Sequence, residues 1–328
     1  MSLVTGDSVV SSSRQGGVVD QLRRRVLSGE GMLYVAFLVL IIVFSVSSPV
    51  FLTISNFANI GRQTALVSII AVGMTFVIVA GEFDLSVGSV LALAGVIAAM
   101  AMRSFGDTWI IGAAAGLGAG ALVGVINGLL TTQFRIPSFL ITLGSLGIAR
   151  GFAMMLTDTR PIVITNDAYF MIFGEGQVFG IPVVIAWTVV IAVAGIVLLH
   201  YSTFGRKVFA TGGNATAARY SGISTARIKI ATLTLTGLLA GFAALVLSAR
   251  SHAARPDVGA GLELDVITAV ILGGAALTGG RGTIAGALVG SLIIGILNNG
   301  LVLLGVDSSL QIAIKGFIIW VSVIASRK

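Results

Sequence analysis

The chain has 328 residues, 56% of them hydrophobic and only 10% charged, with 43 glycines and no cysteine. A mean hydropathy of +1.05 excludes an ordinary soluble domain and marks an integral membrane protein. The formal charge of +7 does not point to nucleic acid, because Lys and Arg are confined to short segments between apolar runs, the pattern that reports membrane orientation; without cysteine, disulfide, thiolate and Cys-metal chemistry are all excluded.

Residues 1–32 are polar and carry Arg14 and the run Arg23-Arg24-Arg25. They read as a cytoplasmic tail, not a signal peptide, since the apolar segment after them is too long and no small-residue cleavage site follows. Apolar runs then fall at about 33–53, 62–80, 86–102, 109–131, 138–156, 183–200, 229–249, 264–279, 284–304 and 310–325. Crossing the hydrocarbon core as a helix takes roughly 20 apolar residues, and none of these runs alternates as a barrel strand would. The expectation is an all-α integral membrane protein with about ten transmembrane helices in one transmembrane domain, 33–328.

Loop charges set the orientation. Tyr201 to Lys229 carries Arg206, Lys207, Arg219, Arg227 and Lys229 with no acid, and is placed inside; Asp158 to Pro182 carries Asp158, Asp167 and Glu175 against Arg160, and is placed outside. An even number of crossings puts both termini in the cytoplasm, with Ser326-Arg327-Lys328 agreeing. The hexamer AGALVG occurs at 119–124 and at 285–290, in the fourth and ninth runs. Those runs point in opposite directions, as an inverted five-plus-five repeat requires. In the fourth run Gly112, Gly116, Gly120 and Gly124 lie four apart, a bare helix face that should meet a neighbour closely.

Three segments carry the polar chemistry. In GEFDLSVGS, Glu82 and Asp84 stand between two apolar runs, with Ser86 and Gly88 beside them. Asp84 immediately precedes a helix-like stretch and reads as a cap on free first-turn N–H groups; a proton relay through Glu82 or Asp84 is the rival reading. GAALTGGRG at 274–282, with Gly279, Gly280, Arg281 and Gly282, lacks the Lys-Ser/Thr of a phosphate loop. No nucleophile elbow, His-Glu-x-x-His helix or cluster of metal ligands is present, so no catalytic, cofactor or metal site is expected.

The inside segment FGRKVFATGGNATAARYSGISTARIK is basic and punctuated by glycine. Gly212-Gly213-Asn214 reads as a turn with positive backbone dihedrals. Asn214 then caps a short helix holding Ala217, Ala218 and Arg219, which Gly222 ends. With Arg206 it forms an element shaped to dock a partner. The small polar residues Asn127, Ser138, Thr142, Asn298 and Asn299 are candidates either for a solute pathway or for helix-to-helix hydrogen bonds. Arg150 is expected to snorkel or to pair with an outside acid, and His200 and His252 to be interfacial.

The phrases AVGMTFVIVAGEFDLSVGSVLALAG, ARGFAMMLTDTRPI, STFGRKVFATGGNATAARYSGI and LELDVITAVILGGAALTGGRGTIAGALVG closely resemble permease subunits of bacterial ATP-binding-cassette importers of the ribose, xylose and galactose type. The resemblance runs from about Tyr34 to Ile324. It implies a multi-pass subunit of the bacterial cytoplasmic (inner) membrane that imports a sugar or sugar-like solute. Such a subunit binds no cofactor itself, pairs with a second copy or a related permease, and sits on separate cytoplasmic ATPase chains that bind ATP and magnesium. An extracytoplasmic sugar-binding protein supplies the solute. The resemblance also implies that Gly212 to Gly222 is the ATPase-coupling element and that DLSVGS and GGRG are signature segments near the cytoplasmic side. Two departures stand out: Gly81-Glu82-Phe83-Asp84 where the family commonly reads Gly-Gly-Ile-Asp, and Ala215 where an acid commonly follows Gly-Gly-Asn. The alternative is a proton-coupled secondary sugar carrier using Glu82 or Asp84.

Overall fold

The computed structural model describes residues 29–325; the tail arginines and the terminal Ser326-Arg327-Lys328 lie outside that range. Within it the chain is almost entirely helical. After α1 (Gly29–Ser47) come α2 (Ile54–Val79), α3 (Val87–Ser104), α4 (Trp109–Gln133) and α5 (Ser138–Thr157). The strand β1 (Ile162–Val163), the short α6 (Asp167–Phe173) and the hairpin of β2 (Gln177–Val178) and β3 (Ile181–Pro182) follow. Next are α7 (Val183–Ile196), continued by a π-turn to Tyr201, then α8 (Thr203–Gly213), α9 (Ala215–Tyr220) and α10 (Thr225–Ser251). The chain ends with β4 (Ala253–Ala254), α11 (Leu262–Leu272), α12 (Ile284–Leu303) and α13 (Ser308–Ala325).

Among the described residues, seven helices are long and apolar enough to cross a membrane: α2 to α5, α7 with its π-turn, α10 and α12. The sequence led to about ten. The clearest divergence is the run at 264–279, where α11 has only 11 residues. At about 1.5 Å per residue such a helix covers about half of a ~30 Å hydrocarbon core. Its apolar composition continues past Leu272, but Gly273 packs against the backbone of Gly286 and Gly274 takes a φ of +88°, so the helix stops. Residues 255–261, without regular structure, lead into it. Together they run from β4, which pairs with β1 beside the end of α5, to the opposite end of the bundle, where Gly279 meets Gly81 and Gly212. The other boundary shift is at α2, which starts eight residues before the apolar run. Thr53 caps it by accepting from the Asn56 N–H, and the buried Asn56 exchanges side-chain hydrogen bonds of 3.0 and 2.9 Å with Asn299 on α12.

The core is organised on α10, which packs against α2, α3 and α4. The glycine face of α4 makes this possible. A Cβ on Gly120 would collide with the carbonyl oxygen of Gly237, and one on Gly124 with that of Leu233. Gly112 and Gly116 leave similar room for Met102 and Leu245. In lipid, where apolar burial gives little drive between helices, such close approach supplies the dispersion contacts that hold them. At the end of the bundle carrying α6, Tyr169 donates to or accepts from Ser248 at 2.7 Å, and Phe173 stacks on Trp187 while Phe242 meets both edge-on, with centroids 5.3 to 6.5 Å apart.

This face gives a direct comparison. Gly120→Val should destabilise the protein by about 1–3 kcal/mol through overpacking. Gly118→Val should be near neutral, because a Cβ there meets nothing within 4 Å. Thermal unfolding of the two variants in detergent measures the difference, and equal melting temperatures would contradict the packing described.

Candidate functional site

The three glycine-bearing segments singled out in the sequence converge at one end of the bundle. The Gly280 N–H donates to the Val79 carbonyl at the end of α2, 2.9 Å away. Gly212, in the last turn of α8, lies so close that a Cβ on it would strike the Val79 oxygen. Gly279, at φ +84°, packs on Gly81, a Cβ there falling 2.9 Å from its Cα. Backbone touches backbone in all three directions. Gly212 and Gly213 are helical and carry no positive φ, which corrects the expected turn: at Gly212 the missing side chain serves close approach. Gly213 itself faces open space.

Between α2 and α3 the chain unwinds over 81–86, starting at Gly81 with φ +81°, yet Glu82, Asp84 and Ser86 are 6%, 1% and 1% exposed. A buried unwound backbone needs partners for its amides. The Phe83 N–H donates to the Ser138 hydroxyl at 2.9 Å and the Leu85 N–H to the Thr142 hydroxyl at 3.0 Å, both on the first turns of α5. Asp84 Oδ1 accepts from the Ser86 N–H at 2.9 Å and from its hydroxyl at 2.6 Å. Asn127 donates to Ser86 Oγ at 3.1 Å and accepts from Ser145 Oγ at 2.5 Å.

Asp84 therefore closes a turn on Ser86 and does not cap first-turn amides of α3, as its position had suggested. Asn127, Ser138 and Thr142 are buried supports of the unwound segment, and Asn299 is spent on Asn56. All four are buried, their side chains engaged by other elements of the chain. Asn298 is different: its buried side-chain oxygen has no partner among the described residues. Ser145 was not singled out, although a serine three residues beyond Thr142, on the same face of α5, was a findable signal.

The basic element has the expected form. Asn214 Oδ1 accepts from the N–H groups of Thr216 and Ala217, each at 3.0 Å, and Gly222 at φ +81° follows α9. Ala218 is buried and anchors the helix, while Arg206, Ala217, Arg219 and Gly222 are exposed. Arg281 is exposed beside Gly282 on the neighbouring loop. One contact invisible in the sequence ties this region to the unwound segment: Lys229, in the first turns of α10, forms an ion pair with Glu82. The partners are 147 residues apart, so no local pattern signals them.

The second non-helical segment is held by charge. The Arg150 guanidinium donates from one nitrogen to the carbonyls of Pro256 and Val258, both at 2.6 Å. Arg150 thus satisfies unwound backbone and does not snorkel. Gly259, at φ +76°, lies against Gly88 in the first turn of α3, so the two unwound segments meet there. Asp265 on α11 accepts from Lys315 on α13 at 3.0 Å. At the β1 end a cavity of about 880 Å3 has Arg103, Asp107, Asp158 and Arg160 on its wall.

Comparison with known proteins follows the same outline. The family described as a branched-chain amino acid transport system permease component matches residues 56–324. The chain is 44% identical over 296 residues to the ribose import permease of Bacillus subtilis, covering 90% of this chain and 92% of that one. It is 41% identical over 297 residues to the ribose import permease of Escherichia coli K12, with the same coverage. It is 38% identical over 318 residues to the L-arabinose ABC transporter permease of Azospirillum brasilense, covering 97% and 92%. No solved structure matches it.

The hydroxyl supports can be tested singly. Thr142→Val keeps the shape but leaves the Leu85 amide without its acceptor, and should cost about 1–3 kcal/mol. Thr132→Val, which removes a hydroxyl bonded only within its own helix, should cost much less. Paired melting curves would decide, and parity between them would contradict the role given to Thr142.

Proposed function

The chain belongs to this family of transport-system permease components, and from that membership we propose that it is the membrane subunit of an ATP-driven importer for a sugar or sugar-like solute. The family's description mentions amino acids, but relatives at 38–44% identity along nearly their whole length are ribose and arabinose permeases. In this reading the subunit lies in the bacterial cytoplasmic membrane with both termini inside. It works beside a second copy or a related permease, on separate ATPase chains that hold ATP and magnesium. A solute-binding protein delivers the sugar at the mouth formed by Arg103, Asp107, Asp158 and Arg160.

Ten crossings are retained in the proposal, the eighth made of the turns at 255–261 and α11, which together run from β4 to the opposite end of the bundle. An inverted repeat is supported by more than the AGALVG hexamers. The third and eighth crossings each begin with an unwound, glycine-bearing segment, and α2 packs on α12 as α10 packs on α4, the pairing that exchanging the two halves generates.

The observation that carries the mechanism is the ion pair between Glu82 and Lys229 over the glycine junction. A force applied to α8 and α9 by an ATPase reaches the unwound segment 81–86 through contacts without flexible side chains, apart from this pair. From there the Asp84, Ser86, Asn127 and Ser145 chain leads into the bundle. Moving the segment would re-aim the helices that frame the solute route, switching access from one face to the other. The rival proton carrier finds neither carboxylate free: Glu82 is held by Lys229 and Asp84 by Ser86.

Arg219→Glu puts a like charge against the acidic ATPase surface that a basic α9 would meet, a mismatch that costs several kcal/mol. It should lower ATP-driven uptake in proteoliposomes by at least about tenfold, with the permease still folded. Glu82→Lys or Lys229→Glu alone should lower uptake per ATP hydrolysed, and the double exchange should recover much of it. Normal uptake in Arg219→Glu, or single and double exchanges that simply add, would overturn the coupling role.

A further inference from the structure

Five carboxylates lie in the membrane-crossing segments, Glu82, Asp84, Asp257, Glu263 and Asp265, and an ionisable group at that depth needs a partner or a purpose. Glu82 has Lys229, Asp84 has Ser86, Asp257 has Arg255 and Asp265 has Lys315. Glu263 has no side-chain hydrogen-bond partner among the described residues. Its carboxylate lies over the amides of Gly261 and of its own residue. It also lies over Gly88, where an added Cβ would come within 2.6 Å of Oε2. The guanidinium of Arg150 is within electrostatic reach. Arg150 spends a single nitrogen on Pro256 and Val258, which leaves the N–H groups on its other nitrogens for another acceptor. Both residues are half-buried, and the adjoining backbone at Ala260 and Gly261 is exposed.

We propose that Glu263 and Arg150 form a transient solute-binding station at the junction of the two unwound segments, recognising neighbouring hydroxyls of a neutral polyol. Unwound backbone at membrane depth persists only where protein buries it or water reaches it, and the exposed stretch at 260–261 belongs to the second case. A carboxylate accepts from one hydroxyl while the guanidinium donates to the next. The opposite charges nearly cancel, so the station favours a neutral solute and does not trap an ion. Contacts this few bind weakly and let the solute pass on. The proposal rests on the sugar-import reading and deepens it.

The test uses the complete assembly with its ATPase and binding protein in proteoliposomes, loaded with D-ribose, L-arabinose or their 2-deoxy analogues. Glu263→Gln should cut ATP-driven uptake of the parent sugar about tenfold, the loss of one charge-assisted hydrogen bond. Glu263→Asp should recover part of it, and the loss should be smaller for the deoxy analogue, which has one hydroxyl fewer. Leu264→Ala, on the exposed neighbouring side chain, should transport normally. Because the binding protein is the same throughout, a changed preference belongs to the permease. Unimpaired uptake in Glu263→Gln, or an equal proportional loss for both solutes, overturns the station.

A second measurement does not depend on that variant folding. The chain has no cysteine, so Ala260→Cys introduces a single thiol. A membrane-impermeant maleimide should modify it in at least one nucleotide state, and inertness in every state overturns the proposal. A wild-type assembly that carries no sugar would instead bring down the import reading, and the station with it.

Discussion

Backbone amides and carbonyls that leave a helix inside a membrane have no water to turn to, and this structure is arranged around supplying them. Two hydroxyls on α5 take the amides of 81–86, and one arginine on the same helix takes the carbonyls of 255–261. An unsatisfied group in hydrocarbon costs several kcal/mol, so α5 is fixed in register by both ends of its polar stripe. Ser138, Thr142 and Arg150 sit at spacings of four and eight residues, one face of one helix. That single face serves both broken crossings.

The two breaks converge on α3. The segment 81–86 touches the glycine junction at one end and the Asn127 network at the other, while 255–261 touches the same helix α3 through Gly259 and Gly88. Glycine is the common requirement at these crossings, because the chains approach to backbone distance. Charge is used sparingly, and almost every charge found at depth has a named opposite.

Much of this was legible in the residues. Hydropathy located every long helix to within a few residues except α1, which ends at Ser47, six residues before its apolar run does, and α2, whose start was hidden by a polar turn that Thr53 and Asn56 convert into a cap and an interhelical bond. The GEFDLSVGS, Gly-Gly-Asn and GGRG segments were identifiable from punctuation alone, and the glycine face of α4 from its spacing. Periodicity could not show that the run at 264–279 is half a helix, since apolar composition continues while two glycines end it. Nor could it show that Asn127, Ser138 and Thr142 hydrogen-bond around an unwound segment, because a small polar residue in a membrane helix serves a neighbouring chain or a solute equally well. The Glu82–Lys229 and Asp265–Lys315 pairs join residues 147 and 50 apart, and only the assembled bundle brings them together.

The seam between α4 and α10 has a mechanical corollary. With no side chains between the Gly120 and Gly237 backbones, neither helix can slide along the other without carbonyl oxygens riding over α-carbons. The two rods are effectively welded. Any swing of the molecule has to be absorbed by hinges elsewhere, and the stretches that already lack helical hydrogen bonds are the cheapest places for it to bend.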